Sequence, residues 1–377
     1  MIKPIIPPAT IGIIGGGQLG RMIAIAARSM GYRVGTLEPT PDSPTGQVAD
    51  FQITAPYSDQ DALIELARRS DVLTYEFENV DLAALKRVAT MTSVPQGTEL
   101  LAITRDRIRE KTFLRDVAGV PVTDFVSVPN ADSLSGAIAQ IGYPAILKTA
   151  TGGYDGHGQQ DLNGPADLVA ARQLVAKAPC ILERRAHFHR ELSLMVTRDG
   201  WNRVRTFPVV ENRHVDHILH TTLAPAPGLD EGVRQQIDQL ATNIAEGLDL
   251  RGVLGIELFA TDTGVLVNEL APRPHNSGHY SIEACNVSQF TAHVLSICGL
   301  PIPRIRLEER AVMRNLLGDD LLAARAEWTE HPEWHLHDYG KAAVRTGRKM
   351  GHITVTGSVG DTQLDLLGQV QLGRKVK

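Results

Sequence analysis

Residues 145–159 read AILKTATGGYDGHGQ: an apolar strand closing on Lys148, then a loop in which four glycines surround Tyr154, Asp155 and His157. A lysine at a strand end places one point charge, and a loop this rich in glycine can close over whatever that charge holds, so the pair suits a polyphosphate. The pattern G-x-x-x-x-G-K-[ST] is absent and no helix starts from a Gly-Lys pair, which excludes a Walker A loop. A plain linker would use the glycines but would require neither Tyr154 nor Asp155.

Downstream, GVLGIELFATDTGVLVNELAPR at 252–273 reads as a β-hairpin turning at 261–264. Centring the turn on Thr263 sets Glu257 opposite Glu269, with Val253, Gly255, Phe259, Val265 and Val267 sharing their face by period-two alternation. Directly opposed carboxylates repel, and a hard divalent cation such as Mg²⁺ between oxygen ligands offsets that repulsion. A general acid–base pair also uses two carboxylates, but it leaves the lysine and the glycine loop unexplained. Just beyond, NELAPRPHNSGHY at 268–280 crowds Asn268, Arg273, His275 and Asn276 onto a segment stiffened by two prolines. Polar groups presented so rigidly suit an anion and a developing phosphoryl charge.

Upstream, ATIGIIGGGQLGRMIAIAARSMGYRVGTLEP at 9–39 gives strand, glycine turn, amphipathic helix and second strand. Gly15, Gly17 and Gly20 match G-x-G-x-x-G, with Glu38 at the end of the second strand, as in a dinucleotide fingerprint. The same glycines would equally serve any phosphorylated small molecule, or close packing of helix on strand. A helix at 59–70 and a strand in DVLTYEFENV at 71–80 continue a small parallel α/β domain, which ends near Pro95 and Gly97. From Thr104 the pattern turns α+β, with a helix over 104–119 and antiparallel alternation at 180–200. Two prolines in CGLPIPRIRLEE at 298–309 mark the joint to a C-terminal piece of mostly short strands. The domains expected are therefore 1–103, 104–300 and 301–377.

The 377 residues are 43% hydrophobic, 21% charged and 5% aromatic with net charge −5, so the chain reads as a globular protein. No basic run alternates with aromatics, which argues against nucleic acid. No stretch approaches the ~20 apolar residues of a membrane span, and prolines interrupt the N-terminal segment, so neither an anchor nor a signal peptide is expected. Cys180, Cys285 and Cys298 form no CxxC pair, which fits a reducing, cytoplasmic compartment. Histidines 187, 189, 214, 217 and 220 invite zinc, but Pro208 and the following APAPG favour an extended stretch, and closed zinc sites need about four converging ligands. Arg345, Arg348 and Lys349 read as a solvated basic turn or a phosphate contact.

Taken in order, GGGQLGRM, YEFENV, DRIREK, ILKTATGGYDGHGQ, ILERRAHFHRELS, GIELF, VNELAPRPHNSGH and GRKMGH resemble the ATP-grasp ligases. Within them the chain is similar to the 5-(carboxyamino)imidazole ribonucleotide synthetases, from about residue 11 to 355. The resemblance implies an ATP-grasp fold preceded by a small Rossmann-like parallel α/β domain and followed by a small mostly-β C-terminal domain. It implies a cytoplasmic, homodimeric enzyme of purine biosynthesis that uses ATP, Mg²⁺ and bicarbonate to carboxylate the exocyclic amine of aminoimidazole ribonucleotide through carboxyphosphate.

Carried over residue by residue, the resemblance implies that Arg107 and Lys148 sit on the ATP phosphates. Gly153, Tyr154, Asp155, Gly156, His157, Gly158 and Gln159 form the closing loop. Glu183, Arg184, Arg185 and Ala186 form the adenine hinge, Glu191 takes the ribose, and His214 lies nearby. Glu257 and Glu269 hold Mg²⁺ beside Asn268, while Arg273, His275 and Asn276, with Asp155, serve bicarbonate and the phosphate-like transition state. Glu76, Tyr154 and Asp155 face the aminoimidazole. The ribonucleotide phosphate falls between the turn at Gly17, Gln18 and Leu19 and a basic group among Lys341, Arg348 and Lys349, which recasts the fingerprint as a monophosphate nest. One departure stands out: His157 occupies a position where the family carries Lys or Arg, and an unperturbed imidazole is mostly neutral at pH 7. The rival readings are an NAD(P)- or flavin-dependent oxidoreductase and another ATP-grasp carboxylate–amine ligase.

Overall fold

The computed structural model describes residues 3–152 and 158–357. Strand β1 (Thr10–Ile14) is almost wholly buried, and a glycine turn leads from it into α1 (Gln18–Ser29). Leu19, Met22, Ile23, Ala26 and Ala27 form the buried face of that helix at helical spacing. Gly31, at φ +89°, closes it by donating its N–H to the Arg28 carbonyl, and β2 (Arg33–Leu37) returns parallel to β1. With β3 (Phe51–Ile53), α2 (Gln60–Arg68) and β4 (Val72–Tyr75), the first unit is a parallel sheet of order β3-β2-β1-β4, as the strand–turn–helix reading requires. The carboxyl ends of β1 and β4 bring the glycine turn and Glu76 to one edge.

Helices α3 (Leu82–Val88) and α4 (Glu99–Thr104) follow. The helix expected over 104–119 is broken. Asp106 leaves helical geometry, and its carboxylate accepts the Ile108 and Arg109 N–H groups to start α5 (Arg107–Thr112) afresh. Phe113–Val117 then widens into a π turn. The break puts Arg107 at the first position of a helix whose peptide N–H donates to the Ala150 carbonyl at 2.9 Å, beside the end of the lysine strand.

That strand is β6 (Ala145–Thr149), in an antiparallel sheet with β5 (Phe125–Val128), β7 (Gln159–Leu162) and β8 (Cys180–Arg184), ordered β5-β8-β6-β7. Helices α6 (Leu134–Ile141) and α7 (Leu168–Val175) cover one face, placing Leu134, Ile141 and Val175 against Leu147 and Leu182.

The alternating stretch at 180–200 does form strands, but β8 and β9 (Arg190–Arg198) belong to different sheets. The second sheet gathers β9, β10 (Val204–Thr206), β11 (Val210–Val215) and β12 (Ile218–Ala224), followed by α8 (Glu231–Gly247), β13 (Val253–Thr261) and β14 (Gly264–Ala271). After α9 (Ser281–Ala284) and α10 (Gln289–Ile297), it continues with β15 (Ala311–Leu317), α11 (Asp320–Glu327), β16 (His335–Asp338) and β17 (Lys349–Thr356). Its order is β14-β13-β9-β11-β12-β15-β17-β16, with β10 paired to β9, so the C-terminal strands extend the central sheet through the β12–β15 ladder. Ile237, Leu240 and Ile244 of α8 seal one face against Leu194, Leu254, Ile256 and Leu258, each such side chain contributing roughly 1.5–3 kcal/mol. Among the described residues no helix is long and apolar enough to cross a membrane.

The β13–β14 hairpin brings Glu257 opposite Glu269 as expected, by a different route. Its turn leaves Thr261 paired with Gly264, half a residue short of a centre on Thr263, and the ladder then steps between Leu258↔Val267 and Glu257↔Glu269. Asn268 is the extra residue, a β-bulge that restores the acidic pair. Val265 and Val267 therefore do not share the face of Glu257. They pair with Ala260 and Leu258 and lie in the core.

Candidate active site

Between the two antiparallel sheets lies an open cleft of about 600 Å³, lined by Lys148, Glu183, Glu191, Glu257, Glu269 and Arg273 among others. Its size suits a nucleotide-sized ligand. Of the sequence-derived candidates, Arg107, Gly158, Gln159, Arg184, Arg185, Ala186, His214, Asn268, His275, Asn276 and Lys349 also line it. Gly153, Tyr154, Asp155, Gly156 and His157 lie outside the described residues.

At one end Glu183 organises the cations. Its Oε2 accepts from Lys148 Nζ at 3.2 Å and Thr123 Oγ1 at 3.2 Å, and lies 3.6 Å from Lys111 Nζ. Burial alone would raise the Glu183 carboxyl, but the two ammonium groups and the hydrogen bonds pull it down to about 2. Lys148 thus reaches the cleft on a fixed tether, and Arg107 joins it by donating to the Thr149 carbonyl at 3.2 Å. The hinge peptides are partly committed, since Arg184 and Arg185 donate their N–H groups to the Asp124 and Pro144 carbonyls. Across the cleft, His214 Nδ1 lies 2.5 Å from Glu191 Oε2. Burial opposes a charge on His214, yet Glu191 raises it above the ordinary imidazole value. Phe188 and Phe259 stack on the wall with centroids 4.3 Å apart.

At the hairpin, His275 Nε2 sits 3.2 Å from Glu257 Oε1, and Asn268 Nδ2 donates to Glu257 Oε2 at 3.4 Å. Burial works against ionisation of Glu257, but His275 and His214 hold it below the ordinary carboxylate range. Burial and the Glu257 charge push Glu269 the other way, upward. The two carboxyl groups thus face each other, Glu257 offset by His275 and His214 and Glu269 by Arg107 and Lys148, and a hard divalent cation fits between such oxygen ligands. Among the described residues no cluster of three or more His, Cys, Asp or Glu forms a self-sufficient metal cage.

Arg273 is fixed by Glu78, with Arg273 Nη2 3.0 Å from Glu78 Oε1. Gln289 grips the His275 peptide at both ends, accepting its N–H at 2.9 Å and donating to its carbonyl at 2.8 Å. The Asn276 amide nitrogen is buried without a protein partner, a donor held ready on the wall.

The glycine turn is already filled. Glu76 Oε2 accepts from the Gly20 N–H at 2.7 Å and its Oε1 from the Gly17 N–H, while Glu38 takes the Gly16 N–H at 2.9 Å and the Tyr57 hydroxyl. A Cβ on Gly17 would fall 2.7 Å from Glu76 Oε1, so this glycine answers to an internal carboxylate. The expectation of an anion nest here meets the chain's own two acids. A dinucleotide would find the pyrophosphate donors occupied and Glu38 unavailable for a ribose, which removes the footing of the oxidoreductase reading. Leu19 has its side chain in the core, and Gln18 opens α1 beside it. On the C-terminal side, Lys341 Nζ donates to the Lys349 carbonyl at 2.6 Å and Arg348 to the Ala343 carbonyl at 3.0 Å. Burial, then the neighbouring Arg348, lowers Lys341 to about 8, and the Glu76 charge acts on it in the opposite sense.

Three charged side chains at or behind the cleft escaped the sequence reading: Lys111, Glu78 and Glu110. The first two are the partners just described. Glu110 is buried on the cleft wall and pushed well above the ordinary carboxylate range by burial and by Glu269. Two acids at the end of the YEFENV strand were the available signal for Glu78. Glu110 and Lys111 carried none, since charged letters in a helix ordinarily mark a solvated face.

Family models match as an ATP-grasp domain at 113–290, a ribonucleotide synthetase preATP-grasp domain at 8–105 and a phosphoribosylaminoimidazole carboxylase C-terminal domain at 311–363. The N5-carboxyaminoimidazole ribonucleotide synthase of Bacillus subtilis (strain 168) is 45% identical over 356 residues, covering 94% of this chain and 93% of the relative. A crystal structure of an N5-carboxyaminoimidazole ribonucleotide synthetase in complex with ADP superposes with TM-score 0.94 at 44% identity, covering 98% of both chains. The Aspergillus clavatus N5-carboxyaminoimidazole synthase in complex with ADP and 5-aminoimidazole ribonucleotide gives TM-score 0.87 at 31% identity, covering 96% of this chain and 99% of that one.

Proposed function

The chain belongs to the N5-carboxyaminoimidazole ribonucleotide synthase family of ATP-grasp enzymes, and from that premise we propose how its own residues divide the work. It is an ATP-dependent ligase of purine biosynthesis that carboxylates the exocyclic amine of aminoimidazole ribonucleotide. Bicarbonate oxygen attacks the γ-phosphorus of ATP and ADP leaves, giving carboxyphosphate. The amine nitrogen then takes up the carboxyl carbon, phosphate leaves with the P–O bond intact, and the amine loses a proton.

Lys148 and Arg107 bind the phosphates, with Lys111 and Glu183 holding Lys148 in place. Glu191 and His214 meet the ribose, and the Ala186 peptide meets adenine, since the Arg184 and Arg185 N–H groups are engaged elsewhere. Glu257 and Glu269, with Asn268 beside them, would hold Mg²⁺, which when bound would supply positive charge against the phosphates. Arg273, His275 and the free Asn276 amide orient bicarbonate and stabilise the transferring phosphoryl group, and positioning supplies most of the rate. The aminoimidazole ribonucleotide lies on the Glu76 side, its phosphate on Lys341, Lys349 or Arg348. Asp155, Tyr154 and the remainder of the glycine loop close over both substrates.

The observation that carries this division is that the phosphate lysine, the opposed acids and the Arg273–Asn276 segment meet in one cleft. Domain limits are placed at about 103 and 300, a division supported by family-model spans of 8–105, 113–290 and 311–363. A cytoplasmic location draws support from three unpaired cysteines, and a homodimer from the family resemblance, testable by light scattering. The decisive assay is phosphate release with ATP, Mg²⁺ and bicarbonate, with and without aminoimidazole ribonucleotide. Stimulation by the ribonucleotide together with a carboxylated product is expected; ATP turnover indifferent to it refutes the assignment.

A further inference from the structure

A file of buried hydrogen bonds runs through the large sheet behind His275. Thr222 Oγ1 on β12 donates to Asn212 Oδ1 on β11 at 3.0 Å, and Asn212 Nδ2 donates to Ser193 Oγ on β9 at 2.8 Å. The Ser193 and Ser277 hydroxyls are 2.7 Å apart, and Ser277 Oγ lies 2.8 Å from His275 Nδ1. Thr222, Ser193 and Ser277 are wholly buried and Asn212 nearly so, and none of the four lies on the cleft wall.

The file has a direction. A hydroxyl carries one proton and an amide nitrogen only donates. With Asn212 Nδ2 donating to Ser193, the Ser193 proton is left for Ser277, and the Ser277 proton for His275 Nδ1. The far end agrees independently: the Ser277 peptide N–H, which can only donate, faces the same Nδ1 at 3.4 Å. Nδ1 is thereby an acceptor, and the ring proton resides on Nε2, which points to Glu257 Oε1 at 3.2 Å.

We infer that Thr222, Asn212 and Ser193 are positioning residues that act through Ser277 to fix His275 as its Nε2–H tautomer, aiming that proton into the cleft. The inference rests on the reading that acyl phosphate chemistry takes place there, where a donor at Nε2 can meet a bicarbonate or carboxyphosphate oxygen. A ring protonated at Nδ1 would instead present a lone pair to those anions. The file explains why polar side chains from three adjacent strands are buried in a line within a sheet whose other interior positions are largely apolar.

The test is long-range ¹⁵N–¹H correlation spectroscopy on the full chain labelled at histidine, with His275 assigned by the signal missing in His275→Gln. The native protein is expected to show Nε2–H at His275. Asn212→Asp replaces the donor by an acceptor and withdraws the Ser277 hydroxyl proton from Nδ1, leaving only the Ser277 peptide N–H there, so a fraction of Nδ1–H should appear beside Nε2–H. Ser193→Ala cuts the file and should also give a mixture; Ser193→Thr keeps the hydroxyl and the native pattern. Turnover in the first two should fall about tenfold, the lower end of what is lost when a group that orients a metal-ligating histidine is removed, with KM for ATP within about twofold of native. Nδ1–H in the native chain overturns the inference outright, whatever the variants do. Folded Asn212→Asp and Ser193→Ala proteins that keep Nε2–H alone and full turnover overturn it as well. Should the native chain release no phosphate in response to aminoimidazole ribonucleotide, the functional assignment fails, while the tautomer still judges the file.

Discussion

Glu257 pairs with Glu269 across β13 and β14 because Asn268 is bulged out of the ladder between them. Like charges set directly opposite on a sheet are destabilising, so the pair is a cost that His275, Arg107 and Lys148 offset in part and a bound cation relieves further. Glu269→Gln should therefore raise the melting temperature slightly in the absence of Mg²⁺, abolish the further rise that MgATP produces, and lower turnover by about 10²-fold or more. Calorimetry with and without Mg²⁺ reads both effects. A variant that keeps native turnover removes Glu269 from the site.

Glu183 binds two lysines, and the sign of its contribution follows from its titration. The folded carboxyl lies at about 2 against an ordinary 4.5. Its stabilisation is fully present above the ordinary value and disappears as pH falls toward 2. Glu183→Gln leaves Lys111 and Lys148 side by side without an anion and should cost about 3–5 kcal/mol at neutral pH. In urea titrations, the gap between native and variant should narrow from pH about 7 to pH about 3. A gap independent of pH contradicts the charge assignment.

Gly17 is bare because Glu76 needs the space. A methyl at this position would meet Glu76 Oε1 at 2.7 Å. Gly17→Ala should push the carboxylate off two backbone donors, costing roughly 1–3 kcal/mol for the groups left unsatisfied, and should raise KM for aminoimidazole ribonucleotide more than KM for ATP. NAD(P) should produce no thermal shift in either protein. Equal increases in both KM values would mean that the turn supports the whole fold and not the ribonucleotide end.

Local pattern carried much of this architecture. The strand, turn and helix at 9–39, the lysine strand and the acidic hairpin all follow from periodicities two to four residues long, which a sequence displays directly. What fills the glycine turn did not, because Glu38 and Glu76 arrive 22 and 59 residues after the glycines they bind. A bulge likewise leaves no mark: one extra residue at Asn268 moved Val265 and Val267 to the opposite face from the one that alternation assigned. Asp106 offered a visible cap, yet the charged run around it read as one continuous helix. Glu110 and Lys111 were beyond reach for another reason. What a buried acid or base meets depends on distant strands: here Glu269 on β14 opposes the charge of Glu110, while Glu183 on β8 pairs with Lys111.

Lys341 supplies the last prediction. Burial, and then Arg348, hold this ammonium at about 8, well below an exposed lysine. In the free protein it is charged below that pH and neutral above it, and a bound phosphate dianion would draw its titration back upward. Affinity for aminoimidazole ribonucleotide should therefore fall as pH rises through 8, while affinity for ATP, held by Lys148 and Arg107 at the other end, should change far less. Lys341→Arg replaces the ammonium with a group that stays charged throughout this range, so its affinity should remain flat to about pH 9.5. Lys341→Ala should lose about tenfold or more in affinity at pH 7 and show no inflection near 8. Isothermal titration of the ribonucleotide into the three proteins separates these cases. An inflection that persists in Lys341→Ala would mean that a titrating group other than Lys341 meets the phosphate; lost affinity without any inflection in native protein would transfer the contact to a group charged throughout, such as Arg348.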